Sequence, residues 1–271
     1  MNACDATEDN PIMRSRPMVQ ILPGTRIVQR MEDVVESIRR DLRRAANPKK
    51  APVLQRFFKT GPGQYGEGDI FLGVMVPQIR EIAKNYSSSS DFSAIKELLS
   101  SQIHEDRCVA LMSLVLKYRT ENKKVARFYL DNLEKANNWD LVDLSAPGIL
   151  GAHLEKSDRS LLYRLARSEN IWKRRAAIVA TLHFIRNNHF QETFRIARIL
   201  LDDKHDLIHK AAGWMLREAG KRDLAAEEAF LRKHHKRMPR TMLRYAIERF
   251  PEKKRKFYLR SGGLVRFKYG S

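Results

Sequence analysis

The sequence predicts an all-α chain built as a helical-repeat solenoid, and three observations carry that prediction. Beyond Pro77, amphipathic segments alternate with short polar links over nearly the whole chain. Two-residue alternation and Asn-Gly hairpin signals are both missing, so nothing reads as a strand. One motif also recurs. RCVAL (107–111), DLSAP (143–147), the RAAI of 175–178, KAAGW (210–214) and RYAIE (244–248) share a phase, and their first residues lie 36, 32, 35 and 34 positions apart. That interval is close to the period of stacked paired-helix repeats.

Residues 1–29 contain Pro11, Pro17 and Pro23 and no helical periodicity, which predicts a loose N-terminal arm. From Met31 the chain turns helical, with Val34, Val35, Ile38 and Leu42 on one face. A short helix is expected over 53–58. KTGPGQYGEGD (59–69) is dense in glycine and is read as a shaped connection beside a bound nucleic acid. Pro77 suits the first turn of a helix running to about Tyr86. Further helices are expected near 91–100, 104–118, 121–134, 139–154, 158–168, 171–186, 190–201, 205–219, 223–234 and 238–249. Pro147 removes the amide that would bond the Asp143 carbonyl, which predicts a kink in the helix over 139–154. The expected organisation is an arm (1–29), a repeat domain (30–250) and a basic tail (251–271).

Composition bounds the partner. The 271 residues include 51 Lys and Arg against 32 Asp and Glu, a formal net charge of +19. That excess favours a polyanion, because each cation that neutralises a phosphate releases counterions. Ribosomal or membrane-surface binding would leave the same signature. The two cysteines, Cys4 and Cys108, do not suggest a disulfide framework, and a reducing compartment fits. No apolar run reaches membrane-spanning length, and the N-terminus carries neither a signal nor a transit pattern. Metal ligation and cofactors are not expected: His234 and His235 are adjacent and diverge, paired cysteines and HExxH spacing are missing, and Cys108 is read as a packed helix residue without a nearby histidine partner.

In a solenoid, equivalent positions stack into a row. Here the row reads Arg107, Asp143, Arg175, Lys210, Arg244: four cations suited to phosphates and one acid that would repel them. Asp143 either pairs with a neighbouring arginine or does chemistry, and a carboxylate facing a sugar can stabilise positive charge at its anomeric carbon. All three tryptophans fall within one turn of the row. Trp139 precedes Asp143 by four residues, Trp172 precedes Arg175 by three, and Trp214 follows Lys210 by four. They are either core residues or a surface platform against bases and sugars. Arg217 lies seven residues after Lys210, on the face of the row, and His183 eight after Arg175, two turns on, as phosphate contacts or solvated surface. In all five motifs an alanine follows the row residue by two or three positions, as close helix packing requires.

NNWDLVDLSAPGILG (137–151), IWKRRAAI (171–178) and IHKAAGWMLREAGKRD (208–223) resemble the core motifs of AlkD-type DNA alkylation repair proteins, and KTGPGQYGEGDIFLGV (59–74) with VPQIR (76–80) resembles their N-terminal motif. MPRTMLRYAIERF (238–250) resembles the closing repeat, so the likeness runs from about Met31 to Phe250. It implies a HEAT-like superhelix with double-stranded DNA in a basic concave face. It implies excision of positively charged N3- and N7-alkylated purines by a monofunctional glycosylase, acting alone, without cofactor, on DNA of the cytoplasmic nucleoid. Asp143 matches the family's catalytic carboxylate, Trp139 and Trp214 its site tryptophans, Arg175 the arginine beside them, and Arg217 a backbone-contacting arginine. His183 stands where some relatives carry lysine, and Phe57 near where some carry tyrosine. The arm and the tail lie outside the likeness. The rival readings are a non-catalytic DNA-binding solenoid that prefers branched or distorted DNA, and a scaffold for acidic peptides.

Overall fold

The computed structural model describes residues 23–261, with side chains from 34 to 260. The described residues are helical almost throughout, and an isolated bridge between Ile70 and Ile103 is the extended pairing among them. The helices are α1 (Pro23–Ala45), α2 (Ala51–Phe57), α3 (Val76–Tyr86), α4 (Phe92–Leu99), α5 (His104–Asp131), α6 (Trp139–Ala146), α7 (Ala152–Leu154), α8 (Ser160–Leu165), α9 (Ile171–Arg186), α10 (Gln191–Ile199), α11 (Asp206–Gly220), α12 (Leu224–His234), α13 (Arg240–Ala246) and α14 (Glu252–Ser261). No helix among the described residues is long and apolar enough to cross a membrane.

The stack follows the expected phase. Helix α5 packs on α6, α6 on α9, α9 on α11, and α11 on α13, while α4 packs on α5, α8 and α10 on α9, and α12 on α11. The small residue after each row position explains the spacing. Ala110, Ala146, Ala177, Ala212 and Ala246 are all 0% exposed. Glycine allows closer approach still: a Cβ at Gly213 would lie 2.4 Å from the Met242 carbonyl oxygen, and one at Gly151 equally close to that of Ala180. Either substitution would push neighbouring inner helices apart.

Sequence and structure differ in four places. Residues 23–29 are the first turns of α1, with Pro23 at its start where its missing amide costs nothing; residues 1–22 of the expected arm lie outside the description. The segments 104–118 and 121–134 are joined as α5, broken only by non-helical backbone at Glu121 (φ −126°, ψ 41°). The expected kink in 139–154 takes a defined form, a π-helical turn over Pro147–Gly151 between α6 and α7. A proline amide cannot close the Asp143 carbonyl's bond, and the widened turn is how the backbone absorbs that loss. Finally, the start of the basic tail is helix α14, whose Tyr258 is buried against His235 and Phe250.

Candidate functional site

The inner helices and the 59–69 loop enclose a cleft of about 620 Å³. Its lining brings together Trp139 and Asp143 from α6, Arg175 from α9, and Lys210, Trp214 and Arg217 from α11. Sequence reasoning proposed all six. It missed Lys59, Tyr65, His205, Asp206, Leu207 and Tyr245, which complete the wall together with Phe57.

Asp143 is held in one orientation. Arg175 donates to it bidentately, Nε to Oδ1 at 2.8 Å and Nη2 to Oδ2 at 2.7 Å, and the third guanidinium nitrogen donates to the Leu207 carbonyl at 2.6 Å. The arginine alternative raised for Asp143 is therefore realised, and the carboxylate lines the cleft as well. Each oxygen receives one arginine bond, which leaves lone pairs for a ligand. Burial pushes the Asp143 carboxyl above its ordinary value of 3.8, against the pull of the Arg175 charge and its hydrogen bond, and Asp140 nearby pushes the same way.

Trp139 opens α6, where the Asn138 side chain caps the helix by accepting from the Trp139 amide at 2.8 Å. Its ring is half-buried. One face stacks on Phe58 (centroids 5.1 Å apart, planes at 11°), and Phe57 meets it edge-on at 5.9 Å. Trp214 is also half-buried, and its indole nitrogen donates to Glu218 at 3.1 Å. Trp172 behaves otherwise. It is buried, with the Tyr65 ring packed edge-on at 6.1 Å, so the in-phase spacing of the third tryptophan marks core and not platform.

Tyr65 reaches the cleft because its loop folds back on itself. The Gly66 amide donates to the Lys59 carbonyl, and a Cβ at Gly66 would lie 2.6 Å from the Phe58 carbonyl oxygen. Burial pushes the Tyr65 phenol above its ordinary range, partly countered by a hydrogen bond from the Trp139 indole and by the Lys210 charge. Lys210 pairs with Asp206 at 2.8 Å, which holds its ammonium above its ordinary value.

The row of cations is less complete than the sequence suggested. Arg107 does not face the cleft: it is buried, paired with Asp69 at 2.6 Å and donating to the Ser101 carbonyl. Arg244 is exposed on α13 but outside the lining, and its neighbour Tyr245 points into the cleft instead. His183 lies away from the lining too, against Glu155 at 2.5 Å, in the space beside Gly151. Arg217 lines the cleft while pairing with Glu248. An Arg-Asp-Arg-Lys-Arg row thus resolves into Asp143, Arg175 and Lys210 at the cleft, with Arg107 sealed and Arg244 turned aside.

Comparison with known proteins settles the kinship. The model of a family described as DNA alkylation repair enzyme matches residues 38–250. The chain belongs to the DNA alkylation repair enzyme family. Membership in that family gives the chain a role in DNA alkylation repair and DNA as its partner. Among solved structures, the chain is similar to a predicted DNA alkylation repair enzyme from Enterococcus faecalis, at 18% identity and a TM-score of 0.61 over 76% of this chain and 97% of that one; at this identity the likeness concerns the fold. No curated protein matches the chain. The family match covers every residue named as lining the cleft.

Proposed function

We propose that this DNA alkylation repair enzyme is a monofunctional glycosylase of the AlkD type, excising N3- and N7-alkylated purines from duplex DNA as a monomer without cofactor. The observation that carries the reading is a clamped carboxylate, Asp143, in one cleft with two half-buried indoles, Trp139 and Trp214. An alkylated purine of this class is cationic and already a good leaving group. The bond between the sugar C1′ and the purine nitrogen breaks, its electron pair neutralises the base, and positive charge grows on the sugar. Asp143 stabilises that charge electrostatically, and the indole faces add cation–π attraction. Water adds at C1′, and its proton leaves to Asp143 or to solvent. Arg175 keeps the carboxylate from turning away as charge develops, and Lys210 and Arg217 hold phosphates.

The reading is tested by incubating methylated DNA with the parent and with Asp143→Asn, followed by chromatography of the released bases. The expected result is release of 7-methylguanine and 3-methyladenine by the parent, at least about 100-fold slower release by the variant, and similar DNA affinity for both. A parent that binds DNA in a steeply salt-dependent way but releases no base would favour the second reading, a non-catalytic DNA-binding solenoid. In that case the Arg175–Asp143 pair would be a structural tie.

A further inference from the structure

One layer beneath the cleft, α5 and α6 bring three different donor atoms together. His104 and Cys108 lie one turn apart on α5, and Asp140 lies in the first turn of α6. The imidazole nitrogen, the thiol sulfur and a carboxylate oxygen all fall within 4.8 Å of one another. His104 Nε2 is 2.8 Å from Asp140 Oδ2, and Cys108 Sγ is 3.9 Å from the same oxygen. The expectation that Cys108 lacks a nearby histidine is corrected: His104, four residues earlier, shares its face of α5.

Two further observations point to a ligand between these atoms. The first is the far side of the imidazole. Nδ1 faces Asp69 at 3.2 Å, and Asp69 is itself tied to Arg107. A carboxylate on one ring nitrogen is the arrangement that orients a histidine ligand and leaves the other nitrogen for a metal. The second is Asp140 Oδ1, which is buried with no hydrogen-bond partner. A buried carboxylate oxygen left unmatched is costly, and a cation beside it removes the cost.

We propose that His104 Nε2, Cys108 Sγ and the Asp140 carboxylate form a binding site for one divalent transition metal of the zinc type, with a fourth position for water. Thiolate and imidazole together select such a metal over magnesium or calcium. Coordination at about 2.0–2.3 Å needs Nε2 and Oδ2 to separate by roughly half an ångström, a rotation of the partly exposed Asp140 side chain. As the metal binds, the thiol proton and the proton on His104 Nε2 pass to solvent, while Nδ1 keeps its proton toward Asp69. None of the three donors lines the cleft. The site is therefore a positioning site: it would pin the first turn of α6, next to Trp139, to α5 and through Asp69 to the 59–69 loop. Phe58 lies between, 5.2 Å from the His104 ring and 5.1 Å from that of Trp139. The inference does not depend on which bond the cleft breaks.

The test uses the full chain, freed of metal by chelation and titrated with Co2+ and then Zn2+. The expected result is one equivalent of cobalt, with a thiolate-to-cobalt charge-transfer band and intense tetrahedral bands in the visible, displaced by one equivalent of zinc. Cys108→Ser, checked for fold by circular dichroism, should lose the charge-transfer band and bind metal more weakly by at least about 10-fold; Cys4→Ser should keep the parent spectrum. Zinc should raise the melting temperature of the parent and not that of Cys108→Ser. A parent that binds no cobalt overturns the proposal and leaves His104 as an imidazolium bridging two carboxylates. An unchanged spectrum in Cys108→Ser overturns it equally.

Discussion

Two arginine–aspartate pairs, Arg107 on α5 with Asp69 and Arg175 on α9 with Asp143, hold their carboxylates in opposite ways. In the first, Arg107 and Asp69 are both nearly inaccessible, with side chains 4% and 3% exposed. Burial pushes Asp69 up, but the hydrogen bond to His104, the Arg107 charge and Asn138 outweigh it and hold the carboxyl below its ordinary value. In the second, Arg175 clamps Asp143 from one side only, burial wins, and the Asp143 carboxyl stands above its ordinary value. Ionisation therefore favours folding at Asp69, whereas at Asp143 burial outweighs the arginine pair and ionisation opposes folding. A carboxylate held at a cleft against its own electrostatic preference is a common mark of a working site, where stability is given up for chemistry.

The largest expected effect tests the sealed pair. Asp69→Asn leaves the buried Arg107 without its carboxylate and removes one of the two beside His104, and urea unfolding should show a loss of about 3–5 kcal/mol at neutral pH. The sign with pH follows from the lowered native value: the Asp69 contribution is present above the unfolded value of 3.8 and disappears as pH falls through the native one. A loss under about 1 kcal/mol would break the contrast at its root.

Glu227 sharpens the contrast as a buried carboxyl without a clamp. It is 1% exposed, its Oε1 lacks a hydrogen-bond partner, and burial, with Glu228 adding to it, pushes it up to about 8. Between the unfolded value of 4.5 and about 8 the unfolded chain releases a proton that the native one keeps, so stability falls as pH rises through that window. Glu227→Gln should gain on the order of 3 kcal/mol at pH 7 and little at pH 5. Equal gains at both pH values would count against a neutral native Glu227.

Asp143→Asn should behave unlike Asp69→Asn. Its stability should stay within about 1 kcal/mol of the parent, since the raised native value means ionisation there opposes folding as pH rises above 3.8. Base release by the parent should accordingly fail on the acid side at a midpoint above 3.8, read from single-turnover rates against pH. The smallest effect is expected at Lys210, half-exposed at the cleft. Lys210→Gln should weaken DNA binding a few-fold and lower the salt slope by about one ion, without altering which base is released.

Much of this was legible in the chain. The 32- to 36-residue recurrence located α5, α6, α9, α11 and α13, and the alanine that follows each row residue marked where those helices touch. Pro147 announced the break that became a π turn. The arrangement of Asp143, Trp139, Arg175, Lys210, Trp214 and Arg217 followed from helical phase because these residues sit on successive inner helices. Phase failed where a side chain's fate depended on a distant partner. Arg107 shares the phase of Arg175, yet Asp69, from a loop 38 positions earlier, draws it inward. Trp172 lies in phase and is covered by Tyr65.

The amino-acid order by itself determined the class of fold, the register of the inner helices and the large positive net charge, since all three are properties of local periodicity and composition. Only the folded chain decided which cations reach the cleft, which tryptophans are walls of it, and that His104, Cys108 and Asp140 meet. Those outcomes rest on contacts between segments tens of residues apart, whose energies depend on burial and distance, and a one-dimensional pattern carries neither.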